Sequence, residues 1–186
     1  MIKSKGWDWK IVKDDIDCPW KIPSVESYYL LNRWENLNFK NFLDLGCGLG
    51  RHTVLFAENG FNVSGFDISK EGIRKTKEWV KNLELKADLK VGDMLELPYE
   101  NESFDCILCR NVISHQDTEG VKQIIKELYR VLKNNGECYL TLGSKSTWGF
   151  KQDSWPLVDE NTRLRMEEGP EYKIPHFYAD YDLIKE

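Results

Sequence analysis

No stretch of this 186-residue chain approaches the ~20 consecutive apolar residues of a membrane-spanning helix, and the opening MIKSKGWDWK lacks the apolar centre of a signal peptide. A soluble, cytoplasmic protein is therefore expected. The chain also lacks any basic run, and its 31 acidic residues against 26 Lys and Arg leave it mildly acidic. Nucleic acid is a disfavoured partner on that balance. The five cysteines are an odd number without a disulfide-like framework, which fits a reducing compartment. There is no internal repeat and no low-complexity segment, and the length suits one domain with a sizeable core.

What the chain does have is a glycine-rich turn set between a strand and a helix. The apolar run Asn41-Phe42-Leu43 leads into DLGCGLGRH, Asp44 to His52, and Thr53 to Glu58 then read as a helix. Strand, glycine turn and helix form the usual cradle for a nucleotide-like cofactor. Gly46, Gly48 and Gly50 each remove a Cβ where the chain turns, admits a ligand against backbone, or seats the helix. The dinucleotide fingerprint wants a third glycine where this chain has Arg51, so a pyrophosphate fit is disfavoured.

Further segments follow in a fixed order. FNVSGFD, Phe61 to Asp67, is an apolar strand ending in an acid, followed by Ile68 and the helix-capping Ser69. Lys70 to Leu83 reads as a helix with Ile73, Val80 and Leu83 inward, and a short strand follows near Asp88 to Val91. Phe104 to Cys109 is a fourth strand, and Val121, Ile124, Ile125, Leu128, Val131 and Leu132 mark the clearest helical face. Gly136 comes just after that helix, and a fifth strand is expected over Glu137 to Leu142. Upstream, Ser24 begins a helix whose spacing puts Val25, Tyr28, Tyr29, Leu31, Asn32 and Trp34 on one face. Strands alternating with helices predict an α/β fold, a doubly wound and mainly parallel sheet with helices on both faces.

The pattern D-x-G-x-G-x-G from Asp44 to Gly50 resembles the first motif of class I S-adenosylmethionine-dependent methyltransferases. The resemblance extends over roughly residues 25 to 145. It takes in Asp67 after the second strand, the stretch VGDMLELPYENESFDCILCRNV (Val91 to Val112), and the glycine turn and strand LKNNGECYLTL (Leu132 to Leu142). It implies S-adenosylmethionine as cofactor, S-adenosylhomocysteine as product and a small-molecule methyl acceptor. The implied cofactor-binding set is Asp44, Gly46, Cys47, Gly48, Gly50, Asp67, Ile68, Asp93, Met94 and Asn111. Asp67 would hold the ribose hydroxyls, Ile68 would pack on the adenine and Asp93 would accept from its amino group beside the Met94 backbone. Asp44, the glycine backbone and the Asn111 carbonyl would meet the methionine end. The alternative is a catalytically silent module that binds the same cofactor for regulation or assembly.

His115, just past the fourth strand, is the candidate catalytic base, because its ordinary pKa suits proton transfer near neutrality. His52 and His176 lie in no metal-ligand spacing, and no metal site is expected. Cys106 and Cys109 form a C-x-x-C, but on a strand they point to opposite faces and read as buried packing residues. Arg51 reads as a solvated charge and Cys47 as packing within the loop. Residues 1–23 are expected to be an irregular arm and 24–145 the cofactor-binding core. Residues 146–186 should form a lid or substrate segment and the start of a last helix over Ala179 to Ile184. Tyr28, Tyr29 and Trp20 are candidates for an aromatic wall over the cofactor. The resemblance also implies two further strands beyond the fifth, for which little sequence remains. A bare edge on the fifth strand is expected, with homo-oligomerisation through it or a longer native chain as the remedy.

Overall fold

The computed structural model describes residues 2–12 and 18–185, and its main sheet is built outward from the apolar run that precedes the glycine turn. That run is β1 (Asn41–Leu45), buried after its first residue. Beside it lie β2 (Asn62–Asp67), β3 (Asp88–Val91), β4 (Phe104–Cys109) and β5 (Leu132–Leu140) in the order β3-β2-β1-β4-β5. Every pairing is parallel. The order reverses between β1 and β4, and ligands of open parallel sheets bind beyond the carboxyl ends of the strands at such a point.

The sheet is covered on both faces, as the alternation of its side chains requires. Leu43, Ile107 and Cys109 point into one cluster with Val121, Ile124, Leu128 and Val131 of α4 (Thr118–Val131). Phe42, Cys106 and Leu108 point into the other, with Trp34 of α1 (Val25–Asn36) and Phe56 of α2 (Arg51–Glu58). Cys106 and Cys109 therefore do lie on opposite faces, and burial raises both thiol pKa values. The second crossover helix, α3 (Lys70–Asn82), begins where Ser69 Oγ accepts from Gly72 N at 3.2 Å. Asp117 caps α4 in the same way, at 2.8 Å from Gly120 N.

Several helical faces are rotated from expectation. On α1 the buried residues are Ser27, Leu30, Leu31 and Trp34, while Val25, Tyr28 and Tyr29 are exposed. Trp34 fixes that rotation, because its ring packs against Phe42 and Phe56 with centroids 5.9 and 5.6 Å away. Leu83 and Ile125 likewise face outward. β5 starts at Leu132, directly out of α4, earlier than Glu137. Leu132 pairs with Phe104 and Glu137 with Cys106, so the intervening residues bulge. Asn135 takes φ 63° in that bulge. The expected glycine turn is thus an irregularity inside the strand.

Residues 146–185 are more ordered than a polar excursion. With β6 (Gly143–Ser144) they form a second sheet of β7 (Leu157–Asp159), β8 (Thr162–Leu164) and β9 (Pro175–Ala179), ordered β6-β9-β8-β7. The last helix, α5 (Tyr181–Lys185), falls where the sequence places it, after a strand the sequence does not announce. Among the described residues β5 has β4 as its one strand neighbour, in keeping with the expected bare edge. The N-terminal arm is irregular apart from a single 3-10 turn at Pro19–Lys21, and its residues 13–17 lie outside the described residues. No helix among the described residues is long and apolar enough to cross a membrane.

Candidate functional site

A cleft opens at the carboxyl ends of the parallel strands, over the glycine turn. Gly46 enters it with φ 73° and donates its N–H to Phe66 O at 2.7 Å. Gly48, at φ 54°, donates to Asp67 Oδ2 at 2.8 Å and accepts from Thr76 Oγ1 at 2.9 Å. The acid that ends β2 therefore also staples the turn that follows β1. Its other oxygen accepts from Ser69 N at 2.7 Å. Burial raises the Asp67 pKa, against the pull of those two backbone donors.

Most of the sequence-derived set converges here. Asp44, Gly46, Cys47, Gly48, Asp67, Ile68, Asp93, Met94, Asn111 and His115 all line the cleft. Cys47 does so with its backbone, since its sulfur packs toward Gly65 and its thiol pKa is raised by burial. Gly50 does not line the cleft. It caps α2 at φ 88°, and a Cβ there would meet Thr76 Cγ2 at 2.5 Å, so its role is to let α2 and α3 approach. Asp93 holds a local turn through Leu95 N at 3.1 Å, and Asn111, at φ 58°, is tied to Thr141 Oγ1 through its own N–H at 2.8 Å.

Asp44 is a second buried acid of the cleft. It is 2 % exposed, and burial pushes its carboxyl up from 3.8 to about 6, although Thr53 Oγ1 donates to it at 2.6 Å. Beside it, His52 Nε2 accepts from Ser24 N at 3.3 Å, which leaves the ring proton on Nδ1, 4.0 Å from Asp44 Oδ1. Burial holds the His52 pKa down at about 3, so the ring is neutral. A raised carboxyl favours the folded state most when protonated. Its contribution is full below 3.8 and is lost as pH rises through about 6. Replacing Asp44 with Asn should therefore gain on the wild type by about 2 to 3 kcal/mol between pH 4 and pH 7. Urea denaturation of both proteins at the two pH values checks this, and a constant difference would refute it.

Other cleft residues escape the sequence reading. Trp7 and Trp9 of the arm join Trp20 as its aromatic wall, with ring centroids 4.6 to 6.2 Å apart. Of the expected wall only Trp20 takes part, because Tyr28 and Tyr29 project from the far face of α1. Arg51 is a wall residue as well. Its guanidinium lies 5.3 Å from the Trp20 ring centroid, and burial with nearby Arg110 lowers its pKa. Arg110 Nε and Trp7 Nε1 are buried in the cleft wall without a hydrogen-bond partner among the described residues.

The His115 ring is buried, which lowers its pKa, and its Nε2 lies 3.5 Å from Glu171 Oε1. His176 stands on the other side of Glu171, at 3.6 Å. His115 lies far upstream of the neighbouring pair Glu171 and His176, so no spacing rule brings the three together.

A family model described as a methyltransferase domain matches residues 42–136. The chain belongs to that family, and its sheet is the class I S-adenosylmethionine-dependent methyltransferase fold. It is similar to a SAM-dependent methyltransferase from Methanosarcina mazei, with 26% identity and a TM-score of 0.66 over 77% of this chain and 74% of that one. A demethylmenaquinone methyltransferase of Lactobacillus johnsonii is 30% identical over 62% of this chain and 52% of its own length. Norajmaline N-methyltransferase of Rauvolfia serpentina is 38% identical over 50% of this chain and 32% of its own. The chain thus spans about half, or less, of the length of these curated relatives.

Proposed function

We propose that the cleft binds S-adenosylmethionine and that the chain directs its methyl group to a small-molecule acceptor on the His115 side. The observation that carries this reading is the convergence of Asp44, Asp67 and Asp93 on one cleft over the glycine turn. The donor and acceptor chemistry fits the cofactor. The buried Asp44 and Asp67 suit the ammonium and the ribose hydroxyls, the half-buried Asp93 suits the adenine amino group, and Arg51 and Arg110 suit the carboxylate. Trp7 Nε1, which lacks a hydrogen-bond partner among the described residues, is a donor of the kind such a ligand satisfies, and Arg110 Nε has only Glu26 Oε2 at 3.6 Å.

When bound, the cofactor supplies a methyl on a sulfonium whose leaving group is a neutral thioether, so the rate depends more on in-line approach than on acid catalysis. The chain's part is therefore to position and to exclude water. Asp67 orients the ribose end while it holds Gly48 in place. Trp7, Trp9 and Trp20 close the cleft from the arm. His115 faces the acceptor side, where removal of an acceptor proton is required. The acidic balance of the chain and the closing arm favour a small acceptor over a nucleic acid.

A screen of small hydroxyl, amine, thiol and quinol acceptors, read as release of S-adenosylhomocysteine, tests the reading. Cofactor binding without release for any acceptor would favour the silent module. His115→Ala should lower turnover at least tenfold and leave cofactor affinity within about twofold. Calorimetry and initial rates check this, and equal activity would leave His115 a structural role.

A further inference from the structure

We propose that His115, Glu171 and His176 form a binding site for a first-row divalent transition metal at the acceptor edge of the cleft. Their candidate ligand atoms all lie within 4.8 Å of one another. Glu171 is central, with Oε1 at 3.5 Å from His115 Nε2 and Oε2 at 3.6 Å from His176 Nε2. Both separations exceed a normal N–H···O hydrogen bond. They match the distance across a tetrahedral ion, because bonds of about 2.0 to 2.2 Å to nitrogen and oxygen place those atoms about 3.4 Å apart.

The tautomer of His176 points the same way. Its Nδ1 lies 3.1 Å from the carbonyl oxygen of Ile174, which can only accept, so Nδ1 carries the proton. In the neutral ring Nε2 then bears a lone pair directed toward a carboxylate. In that neutral tautomer two acceptors face each other, and a cation can bridge them although Glu171 Oε2 already accepts from Arg165 Nη1. A histidine that donates one ring nitrogen to a backbone carbonyl and presents the other is the usual arrangement of a metal ligand.

The backbone holds the three residues from two segments, the loop after β4 and the turn that leads into β9 with that strand's start. His115 N bonds Val112 O, Phe177 N bonds Ser114 O at 2.8 Å, and Ile174 N bonds Glu171 O at 3.0 Å. Two imidazoles and one carboxylate select zinc, iron, cobalt or manganese over magnesium and calcium. Arg165 opposes the ion, since it also pairs with Glu171 Oε2, and it leaves Oε1 as the freer ligand. The place of the metal beside the acceptor rests on the methyl-transfer reading, whereas metal binding itself does not; an ion on His115 Nε2 occupies the lone pair a base would use, so the proton-removing role of His115 applies to the metal-free site.

The test uses the whole chain stripped of metal with a chelator, then titrated with Co²⁺ and with Zn²⁺. One equivalent should bind, Co²⁺ should show the visible bands of nitrogen and oxygen ligation, and the melting temperature should rise. E171Q and H176A should each weaken binding at least tenfold and abolish that rise, while R165Q should tighten binding. Circular dichroism and S-adenosylmethionine affinity show whether the variants fold. Should H176A fail to fold, E171Q, which preserves shape, carries the test alone. Absence of stoichiometric binding to the wild type would overturn the proposal. So would binding that survives in E171Q, or Co²⁺ bands typical of thiolate ligation. Failure of the cofactor to bind, with metal still bound, would instead refute the methyl-transfer reading.

Discussion

Asp67→Ala should weaken S-adenosylmethionine by about 1.5 to 3 kcal/mol, or roughly 10- to 150-fold, which isothermal calorimetry reads directly. The carboxylate does two things at once. It is the acceptor proposed for the ribose hydroxyls, and in the absence of ligand it already accepts from Gly48 N at 2.8 Å and Ser69 N at 2.7 Å. Alanine removes the acceptor and leaves both N–H groups without their partner. Asp67→Asn keeps one carbonyl oxygen and should recover part of the loss. Wild-type affinity for the alanine variant would remove Asp67 from the cofactor contacts.

Gly46→Ala should lower stability by about 2 to 4 kcal/mol and abolish cofactor binding, combining left-handed backbone strain with overpacking. Gly46 takes φ 73°, and an added Cβ would stand 2.2, 2.5 and 2.8 Å from three side-chain atoms of Val112. Valine is branched at Cβ and cannot swing clear by a small rotation. Gly60 separates the two causes. It has φ 78° with no atom within 4 Å of the added Cβ, so Gly60→Ala measures strain alone. Chemical denaturation of both variants checks the ranking. Equal losses would mean that Val112 yields and that packing at the turn is loose.

Much of this architecture is legible in the sequence because its signals are local. The glycine turn, the acid after β2 and the apolar faces of α3 and α4 are each written within a dozen residues, and β3 and β4 fall over the expected spans. The burial face of α1 is less legible. Ser27 is buried and Tyr29 exposed because Trp34 locks the helix against Phe42 and Phe56, a tertiary choice that periodicity cannot anticipate. The start of β5 is missed for a related reason, since Asn135 and Gly136 read as a turn and act as a bulge.

The cleft shows the same division. Its floor of Asp44, Gly46, Gly48 and Asp67 comes from adjacent strand ends, and the sequence points to each of them. Its walls come from distant segments. Trp9 reaches Gly48 from the arm, Arg51 turns inward against Trp20, and Glu171 comes to His115 from the second sheet. The second sheet is hidden as well, because its strands are only two to five residues long and lie among polar and charged residues.

The arm that supplies Trp7 and Trp9 is fastened to the far end of the chain. Lys5 Nζ donates to Tyr172 O at 2.5 Å, and Asp8 N donates to Pro170 O at 3.3 Å. Lys5 and Tyr172 are 167 positions apart, so on the ribosome the arm is made long before its anchor. Closing so long a loop costs little more than closing a shorter one, about 0.6 kcal/mol per doubling, but it has to wait for the anchor. The arm therefore lacks this fastening until residues 170–172 have been made, and the roof of the cleft is secured after its floor.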